Sequence, residues 1–264
     1  MKERPGEAKR NDRAMHILYQ IPGDMTAGPL GSPEIERRRA LLQTWASSDV
    51  SVEVADSPGG PLSIESHAEE VLCVAPMIEA VSRERAADAV IIGCFGDPGL
   101  AALREVLQCP VVGPFEASFH IAAQLGARVG IVTILDSVTP VLDHIIRGMG
   151  QSLRYAGACA IGVPVLDLGK DLGGVTERVA QAAADLIRNR DADVLVLGCM
   201  SLAFLGIAER TASVLGVPVV NPAKCALKTA EGLVAQGLVQ SRRTYPRPRK
   251  DIVPAPQPIR SGTP

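Results

Sequence analysis

The feature of this 264-residue chain that most constrains its fold is an internal repeat. Residues 87–94 read ADAVIIGC, and residues 192–199 read ADVLVLGC. Further along, residues 109–114 (CPVVGP) match residues 217–222 (VPVVNP). Self-similarity of this kind indicates that one structural unit occurs twice. Any fold assigned to the chain therefore has to accommodate two similar halves.

Each half alternates short apolar runs with helical patterns, which predicts β-α units and a parallel sheet. We expect an α/β fold of two pseudo-symmetric Rossmann-like lobes, each with a four-stranded parallel sheet flanked by helices. The predicted strands are Met15–Ile21, Val50–Val54, Asp88–Gly93 and Pro110–Gly113 in the first half, and Arg128–Leu135, Ile161–Leu166, Asp193–Gly198 and Val217–Val220 in the second.

Three helix starts follow from local signals. Ser32 with Pro33 after it predicts a capped helix with proline in its first position. Ser63 is expected to begin a long helix. Asp97 followed by Pro98 predicts a further N-cap and first helical residue.

The repeat also predicts the domain organisation. We expect one lobe from residues 14–115 plus 221–245 and a second lobe from residues 116–220. Residues 1–13 and 246–264 are expected to be flexible tails. The segment from Ser241 onward is rich in proline and arginine without an apolar period, which predicts a disordered or loosely packed surface tail.

Composition excludes several classes of protein. The formal net charge of −2 does not call for a nucleic-acid or membrane-surface partner. No apolar run is long enough to span a bilayer, and the N-terminus lacks an apolar stretch of signal-peptide type. The expected location is therefore the cytoplasm. No two of the six cysteines form a C-x-x-C pair, which argues against a structural zinc site.

Cys94 and Cys199 are the candidate catalytic residues because they occupy equivalent places in the repeat. Ligands bind beyond the carboxyl ends of parallel strands, and both cysteines follow such ends. We expect each to lie at a helix N-terminus, which would lower the pKa of its thiol. A thiolate and a thiol on opposite sides of a cleft could exchange a proton at a carbon next to a carbonyl, without metal or cofactor.

A plainer interpretation is that a Gly-Cys pair is only a small residue at a tight turn, since free cysteine packs well. Because Cys94 and Cys199 occupy equivalent positions in the repeat, a functional role is favoured over simple packing for this pair. The other cysteines have no such partner and are expected to be core residues or chance: Cys73, Cys109, Cys159 and Cys225.

These residues resemble the Asp/Glu/hydantoin racemase family, and its hydantoin and allantoin racemase branch in particular. The motifs are residues 91–100 (IIGCFGDPGL), 60–67 (GPLSIESH), 110–117 (PVVGPFEA) and 196–199 (VLGC). The likeness runs from about residue 14 to about residue 245. It implies two lobes with the active site between them, and acid and base roles for Cys94 and Cys199.

The resemblance also implies substrate contacts. The family's first loop usually reads Asn-Pro-Asn-Thr-Ser, whereas residues 22–26 read PGDMT, and an anionic Asp24 would favour a hydantoin ring over a free carboxylate. The loop after the second cysteine begins Met200-Ser201, where the branch usually has Ala-Gly-Met. The substrate-binding residues implied are Pro22, Gly23, Asp24, Phe95, Gly96, Thr133, Met200 and Ser201.

The expected function is cofactor-independent racemisation of 5-substituted hydantoins or allantoin. We expect a small-molecule substrate, no cofactor or metal, no nucleic-acid or membrane partner, and a homo-oligomer. An Asp/Glu-type amino-acid racemase is an alternative. A decarboxylase or cis–trans isomerase is another, although those relatives work with a single cysteine of the pair. A non-catalytic small-molecule binder is the third alternative.

Overall fold

The strands form two parallel sheets of the same topology in a computed structural model that describes residues 14–83 and 87–250. The first sheet contains β1 (Met15–Gln20), β2 (Val50–Ala55), β3 (Ala89–Ile92) and β4 (Val111–Val112), in the order β2-β1-β3-β4. The second contains β5 (Val129–Thr133), β6 (Tyr155–Ala160), β7 (Val194–Leu197) and β8 (Val219–Val220), in the order β6-β5-β7-β8. The predicted fold class is confirmed.

Ten helices connect the strands within the described residues. They are α1 (Gly31–Trp45), α2 (His67–Leu72), α3 (Val74–Arg83), α4 (Leu100–Val106), α5 (Pro114–Leu125), α6 (Thr139–Gly148), α7 (Leu172–Arg190), α8 (Met200–Ala203), α9 (Ala208–Leu215) and α10 (Pro222–Ala235). None of the helices in the described part of the chain is long and apolar enough to cross a membrane.

The aspartate that precedes the repeated strand has the same structural role in both halves. Asp88 accepts a hydrogen bond from the N–H of His16 (2.7 Å), so it joins the start of β3 to β1. Asp193 accepts from the N–H groups of Ala127 (2.9 Å) and Arg128 (2.8 Å), so it joins the start of β7 to β5. The same residue type therefore aligns the central strands of both sheets.

The two halves exchange a helix. Helix α5 packs against β5 and β7 of the second sheet, whereas α10 packs against β3 and β4 of the first sheet, and the two helices contact each other. One buried cluster accordingly includes Ile17 of β1, Ile131 of β5, Phe115 of α5 and Leu227 of α10. These contacts support our proposal that 14–115 plus 221–245 and 116–220 are the two lobes.

The predicted strand at Ile161–Leu166 is wrong, because the second strand of that half is β6 at Tyr155–Ala160. The apolar run leaves the sheet at Gly162, whose φ is +69°, and Pro164 has no N–H to donate to a ladder. The strand itself is rich in alanine and glycine and lies at the sheet edge, so it lacks the apolar signal of a buried strand.

Two predicted helix starts are displaced. Helix α1 begins at Gly31, and Leu30 occupies its N-cap position without a side-chain bond, so Ser32 is not the cap. Helix α2 begins at His67 rather than at Ser63. Its cap is Ser66, whose hydroxyl accepts from the N–H of Glu69.

Asp97 does not cap the helix that follows it, because α4 has Gly99 as its N-cap. Asp97 instead accepts hydrogen bonds from the N–H groups of Phe115 and Glu116, both at 2.9 Å, and so caps α5. Pro98 likewise precedes α4 rather than starting it.

The C-terminal segment packs on the first lobe as far as Tyr245. The Gln240 amide donates to the carbonyl of Cys109 (2.9 Å), and the Arg242 guanidinium donates to the carbonyls of Arg104 (3.0 Å) and Glu105 (3.1 Å). The predicted tail at residues 1–13 and residues 251–264 of the tail predicted at 246–264 lie outside the described residues.

Candidate active site

A cavity with an empty volume of about 740 Å³, including space open to solvent, lies at the carboxyl ends of the central strands. The first half contributes Arg38 and residues from the segments 21–25, 62–70 and 93–96, and the second half contributes Val165 and residues from the segments 134–141 and 198–201. The cavity is therefore shared between the two halves, as ligand sites at strand ends are expected to be.

Both predicted catalytic cysteines line this cavity. Cys94 follows β3 and is partly buried, and Cys199 follows β7 and is 9% exposed. Six of the predicted substrate-binding residues also line it: Pro22, Gly23, Phe95, Gly96, Met200 and Ser201. The structure thus brings together residues that lie more than 170 positions apart along the chain.

The glycine before each cysteine is required by close backbone packing. The N–H of Gly93 donates to the carbonyl of Gln20, and the N–H of Gly198 donates to the carbonyl of Val132, both at 2.6 Å. A Cβ on Gly93 would lie 2.8 Å from Cε1 of Tyr19, and one on Gly198 would lie 2.6 Å from Cγ2 of Ile131. Glycine therefore lets each strand end meet its neighbour and turn into the cavity.

Two predicted substrate-binding residues, Asp24 and Thr133, are not among the residues that line the cavity. The Asp24 carboxylate accepts from the N–H groups of Ala27 (3.0 Å) and Gly59 (2.9 Å), so it holds its own loop in place. Thr133 is fully buried, and its hydroxyl donates to the carbonyl of Gly198 (3.3 Å). Both residues support the walls of the site.

Arg38 is a cavity residue that sequence analysis missed. It is 2% exposed; its Nε donates to Glu34 (2.8 Å) and its Nη2 to the hydroxyl of Ser201 (2.9 Å). The guanidinium also lies 5.0 Å from the centre of the Phe204 ring. The available signal was helical spacing, since Arg38 lies four residues before the buried Leu42 on the same face of α1.

Glu70 is the second missed residue, and it lines the cavity on the side of Cys94. Its Oε1 would lie 2.1 Å from a Cβ on Gly96, so the carboxyl group rests directly against the Gly96 backbone. Its Oε2 lies 3.4 Å from Nδ1 of the exposed His67. Burial raises the pKa of Glu70 above its ordinary value.

The predicted lowering of both thiol pKa values by helix N-termini is not what the structure supports. Burial raises the pKa of Cys94 well above its ordinary value, and it also raises the pKa of Cys199. Cys94 is not at a helix N-terminus, because α4 begins only at Leu100. Cys199 is the N-cap of α8, where N–H groups and a hydroxyl oppose the effect of burial.

The other cysteines do not line the cavity, and all six are free. Cys73 is fully buried behind the site, and its Sγ donates to the carbonyl of Glu70 (3.1 Å). Over the described ranges, no group of three or more His, Cys, Asp or Glu residues is placed to hold a metal ion.

Two parallel-sheet lobes that share one cavity at their strand ends define a two-lobed α/β enzyme fold. The family model described as Asp/Glu/hydantoin racemase matches residues 35–230. The chain therefore belongs to the Asp/Glu/hydantoin racemase family, as the sequence motifs predicted, and is a racemase, an isomerase.

Individual relatives agree with this assignment. The chain is 36% identical over 193 residues to hydantoin racemase from Paenarthrobacter aurescens, covering 72% of this chain and 81% of the relative. It is 33% identical over 242 residues to hydantoin racemase from Rhizobium meliloti, covering 89% and 95%. The solved structure of allantoin racemase from Klebsiella pneumoniae superposes with a TM-score of 0.82 at 29% identity, covering 92% of this chain and 97% of that one.

Proposed function

We propose that the protein racemises 5-substituted hydantoins by proton transfer between Cys94 and Cys199. The observation that carries this proposal is that two cysteines at equivalent strand ends line one cavity from opposite halves. The similarity to hydantoin racemases along most of the chain supports the choice of substrate.

The proton balance of the proposed reaction is simple. A thiolate removes the proton from C5, the electron pair of the C–H bond moves towards the adjacent C4 carbonyl, and an enolate forms. The opposite thiol then donates its proton to the other face of C5, which restores the C–H bond with inverted configuration. The first cysteine ends as a thiol and the second as a thiolate, so the roles reverse for the other enantiomer. We propose that no cofactor takes part.

The cavity wall favours an apolar substituent on the hydantoin ring. Much of the cavity lining is aliphatic, from Leu62, Ile64, Ile134, Val138, Val141 and Val165. Burying an alkyl or aryl substituent against these side chains is favourable, whereas a polar substituent without partners would lose hydrogen bonds to water.

Arg38 is the single cation among the described residues that line the cavity, and its Nε is already bonded to Glu34 (2.8 Å) and its Nη2 to the Ser201 hydroxyl (2.9 Å). A free amino acid would bring a carboxylate that has no unpaired cationic partner there. A neutral hydantoin ring needs no such partner. This argues against the Asp/Glu-type amino-acid racemase.

Allantoin is the second candidate substrate, and the structural likeness to an allantoin racemase favours it. Allantoin shares the hydantoin ring but carries a polar ureido group at C5. An alkyl or aryl substituent of a hydantoin would pack favourably against the aliphatic wall, whereas the ureido group of allantoin would lose hydrogen bonds to water there.

Assays on both substrates test the proposal. Each enantiomer of 5-isobutylhydantoin, 5-benzylhydantoin and allantoin is incubated with the protein in D₂O at neutral pH, with enzyme-free samples as the control for spontaneous exchange. We expect racemisation with deuterium uptake at C5, faster for the alkyl and aryl compounds. Faster turnover of allantoin would assign the second substrate, and inertness towards every hydantoin would contradict the proposed function.

The proposal also concerns the setting in which the enzyme works. Because the chemistry needs both thiols reduced, it suits a reducing compartment such as the cytoplasm. Assembly into a homo-oligomer is supported by exposed apolar side chains on α2, where Val71 is 61% and Leu72 is 67% exposed. Light scattering on the purified protein measures the assembly directly.

A further inference from the structure

The two cysteines lie in opposite electrostatic surroundings, although the repeat places them at equivalent positions. On the side of Cys199, Arg38 donates to the hydroxyl oxygen of Ser201 at 2.9 Å. Because that oxygen accepts from Arg38, the hydroxyl hydrogen is free to point towards Cys199, two residues earlier in the chain. Burial raises the pKa of the Cys199 thiol, and the Arg38 charge and the Ser201 hydroxyl both oppose that rise.

On the side of Cys94, the cavity is lined by an acidic group, Glu70. The Glu70 carboxyl group rests against the backbone of Gly96, two residues after Cys94. Burial raises the pKa of the Cys94 thiol most strongly, the Gly96 backbone opposes that rise, and the Glu70 charge raises the pKa further. A negative charge at Glu70 disfavours a second negative charge on Cys94.

We infer that Arg38 and Glu70 are positioning residues that make Cys199 the first of the two thiols to ionise and leave the proton on Cys94. This inference rests on the proposed function for its catalytic meaning. Cys199 is then the base that meets the first substrate molecule, and Cys94 is the acid behind it. The repeat places the two cysteines at equivalent positions, whereas Arg38 and Glu70 give them different electrostatic surroundings.

The remaining charged and titratable groups facing the pair do not reverse this order. Glu34 keeps a second partner, Arg37, with 2.6 Å between the Arg37 Nε and Glu34 Oε2 atoms, so Arg38 is not fully neutralised by it. The Tyr19 hydroxyl lies near both cysteines and Arg38, and burial raises its pKa, so it stays neutral. Burial and the Glu70 charge raise the pKa of Cys73, which also stays neutral. His67 contacts the far side of Glu70 and is exposed.

Alkylation by iodoacetamide measures which sulfur is the thiolate, because thiolates react and thiols do not. The protein is treated briefly between pH 7 and pH 10, and modification of Cys94 and Cys199 is quantified separately by peptide mass spectrometry. Access alone predicts that Cys94 reacts first, since it is more exposed than Cys199. The inference predicts that Cys199 reacts first.

Substitutions separate the two contributions. We expect Arg38→Met to slow alkylation of Cys199 by about tenfold at a given pH, because an opposite charge at this range favours the charged form. Arg38→Lys should recover part of that rate, and Ser201→Ala, which keeps the charge but removes the hydroxyl, should give a smaller loss. Glu70→Gln should accelerate alkylation of Cys94 and leave Cys199 unaffected.

Matched controls are available on the exposed face of α1. Arg39→Met and Glu36→Gln remove a similar ion pair far from the cavity and should change neither rate. Faster alkylation of Cys94 than of Cys199 in the unsubstituted protein would overturn the inference, as would an unchanged Cys199 rate in both Arg38→Met and Ser201→Ala. Because alkylation needs no substrate, these outcomes are independent of whether hydantoins are racemised.

Discussion

Each proposed catalytic cysteine depends on the glycine before it, and the turn at Cys199 is also supported by a side chain, that of Thr133. Gly93 and Gly198 make equivalent backbone bonds at equivalent strand ends, and Thr133 donates to the carbonyl of Gly198. The sulfur atoms reach the cavity only because these turns are tight. The reacting groups are therefore held by backbone geometry rather than by flexible side chains.

Replacing Gly198 by alanine tests this dependence. The added Cβ would lie 2.6 Å from Ile131 and 3.0 Å from the carbonyl oxygen of Val132, so the strand end has to shift. We expect a loss of about 1–3 kcal/mol in the free energy of unfolding, measured by urea titration, together with loss of racemase activity.

Gly232→Ala is the matched control, because Gly232 lies within α10 with no neighbouring atom within 4 Å of an added Cβ. Alanine there should stabilise the protein by about 0.5–1 kcal/mol through higher helix propensity. Equal effects of the two substitutions on stability would contradict the account of the turn.

Sequence reasoning found the cysteines but not the charges beside them. Cys94 and Cys199 stand at matching positions of a repeat, which is visible without structure. Arg38 lies within three consecutive arginines; its spacing from Leu42 places it on the buried face of α1, but its contacts with Phe204 and Ser201 are visible only in the structure. Glu70 sits in the first turn of α2, where an acidic residue is also explained by the helix dipole. Tertiary contacts of this kind have no local signature.

At the scale of elements, the buried strands could be predicted from the sequence, whereas the edge strand β6 and several helix starts could not. β3 and β7 are continuous runs of buried aliphatic residues, and their predicted bounds agree with the structure to within one residue at each end. The edge strand β6 is rich in alanine and glycine and is partly exposed, so the neighbouring apolar run at Ile161–Leu166 gave the stronger but misleading signal. The predicted starts of α1 and α4 were wrong because Leu30 and Gly99 occupy the N-cap positions without side-chain bonds, whereas α2 is capped by Ser66, three residues after the predicted Ser63.

Helix α5 gives a test at this scale, because its cap comes from a distant loop. Asp97 accepts from two N–H groups at the start of α5 while its own φ is +50°. We expect Asp97→Ala to lower the free energy of unfolding by about 1–2 kcal/mol, since both cap bonds are lost and alanine tolerates this backbone poorly.

Asp97→Asn is the informative companion variant, since asparagine accepts the left-handed conformation and keeps one acceptor oxygen. It should retain part of the lost stability in the same denaturant titration. An Asn variant as unstable as the Ala variant would show that the carboxylate, rather than the conformation, dominates.

At the scale of the whole molecule, the lobes are joined both at the core and at the mouth of the cavity. The Glu65 carboxylate accepts from the N–H of Val165 (2.8 Å), and its backbone carbonyl accepts from the hydroxyl of Ser137 (2.7 Å). Glu65 belongs to the loop before α2, while Ser137 and Val165 belong to the second half. This loop thereby carries Leu62 and Ile64 into the cavity wall.

Glu65→Ala should loosen this connection without touching the cysteines. Loss of a hydrogen bond to a charged acceptor, worth about 1.5–3 kcal/mol, is expected to raise KM for 5-benzylhydantoin by about tenfold or more, with a smaller effect on kcat. Steady-state kinetics measures both constants. Glu177→Ala on the exposed face of α7 is the control, and an unchanged KM in the Glu65 variant would argue against a joining role.

The most direct test of the paired-cysteine mechanism is deuterium exchange by single-cysteine variants. Cys94→Ala and Cys199→Ala are each incubated with the separate enantiomers of 5-benzylhydantoin in D₂O, and racemisation and C5 deuteration are followed by chiral chromatography and mass spectrometry. Cys225→Ala, outside the cavity, serves as the control. We predict that both variants lose racemisation and that each still exchanges the proton of one enantiomer only, a different one in each case. Full racemisation by either variant would contradict the account.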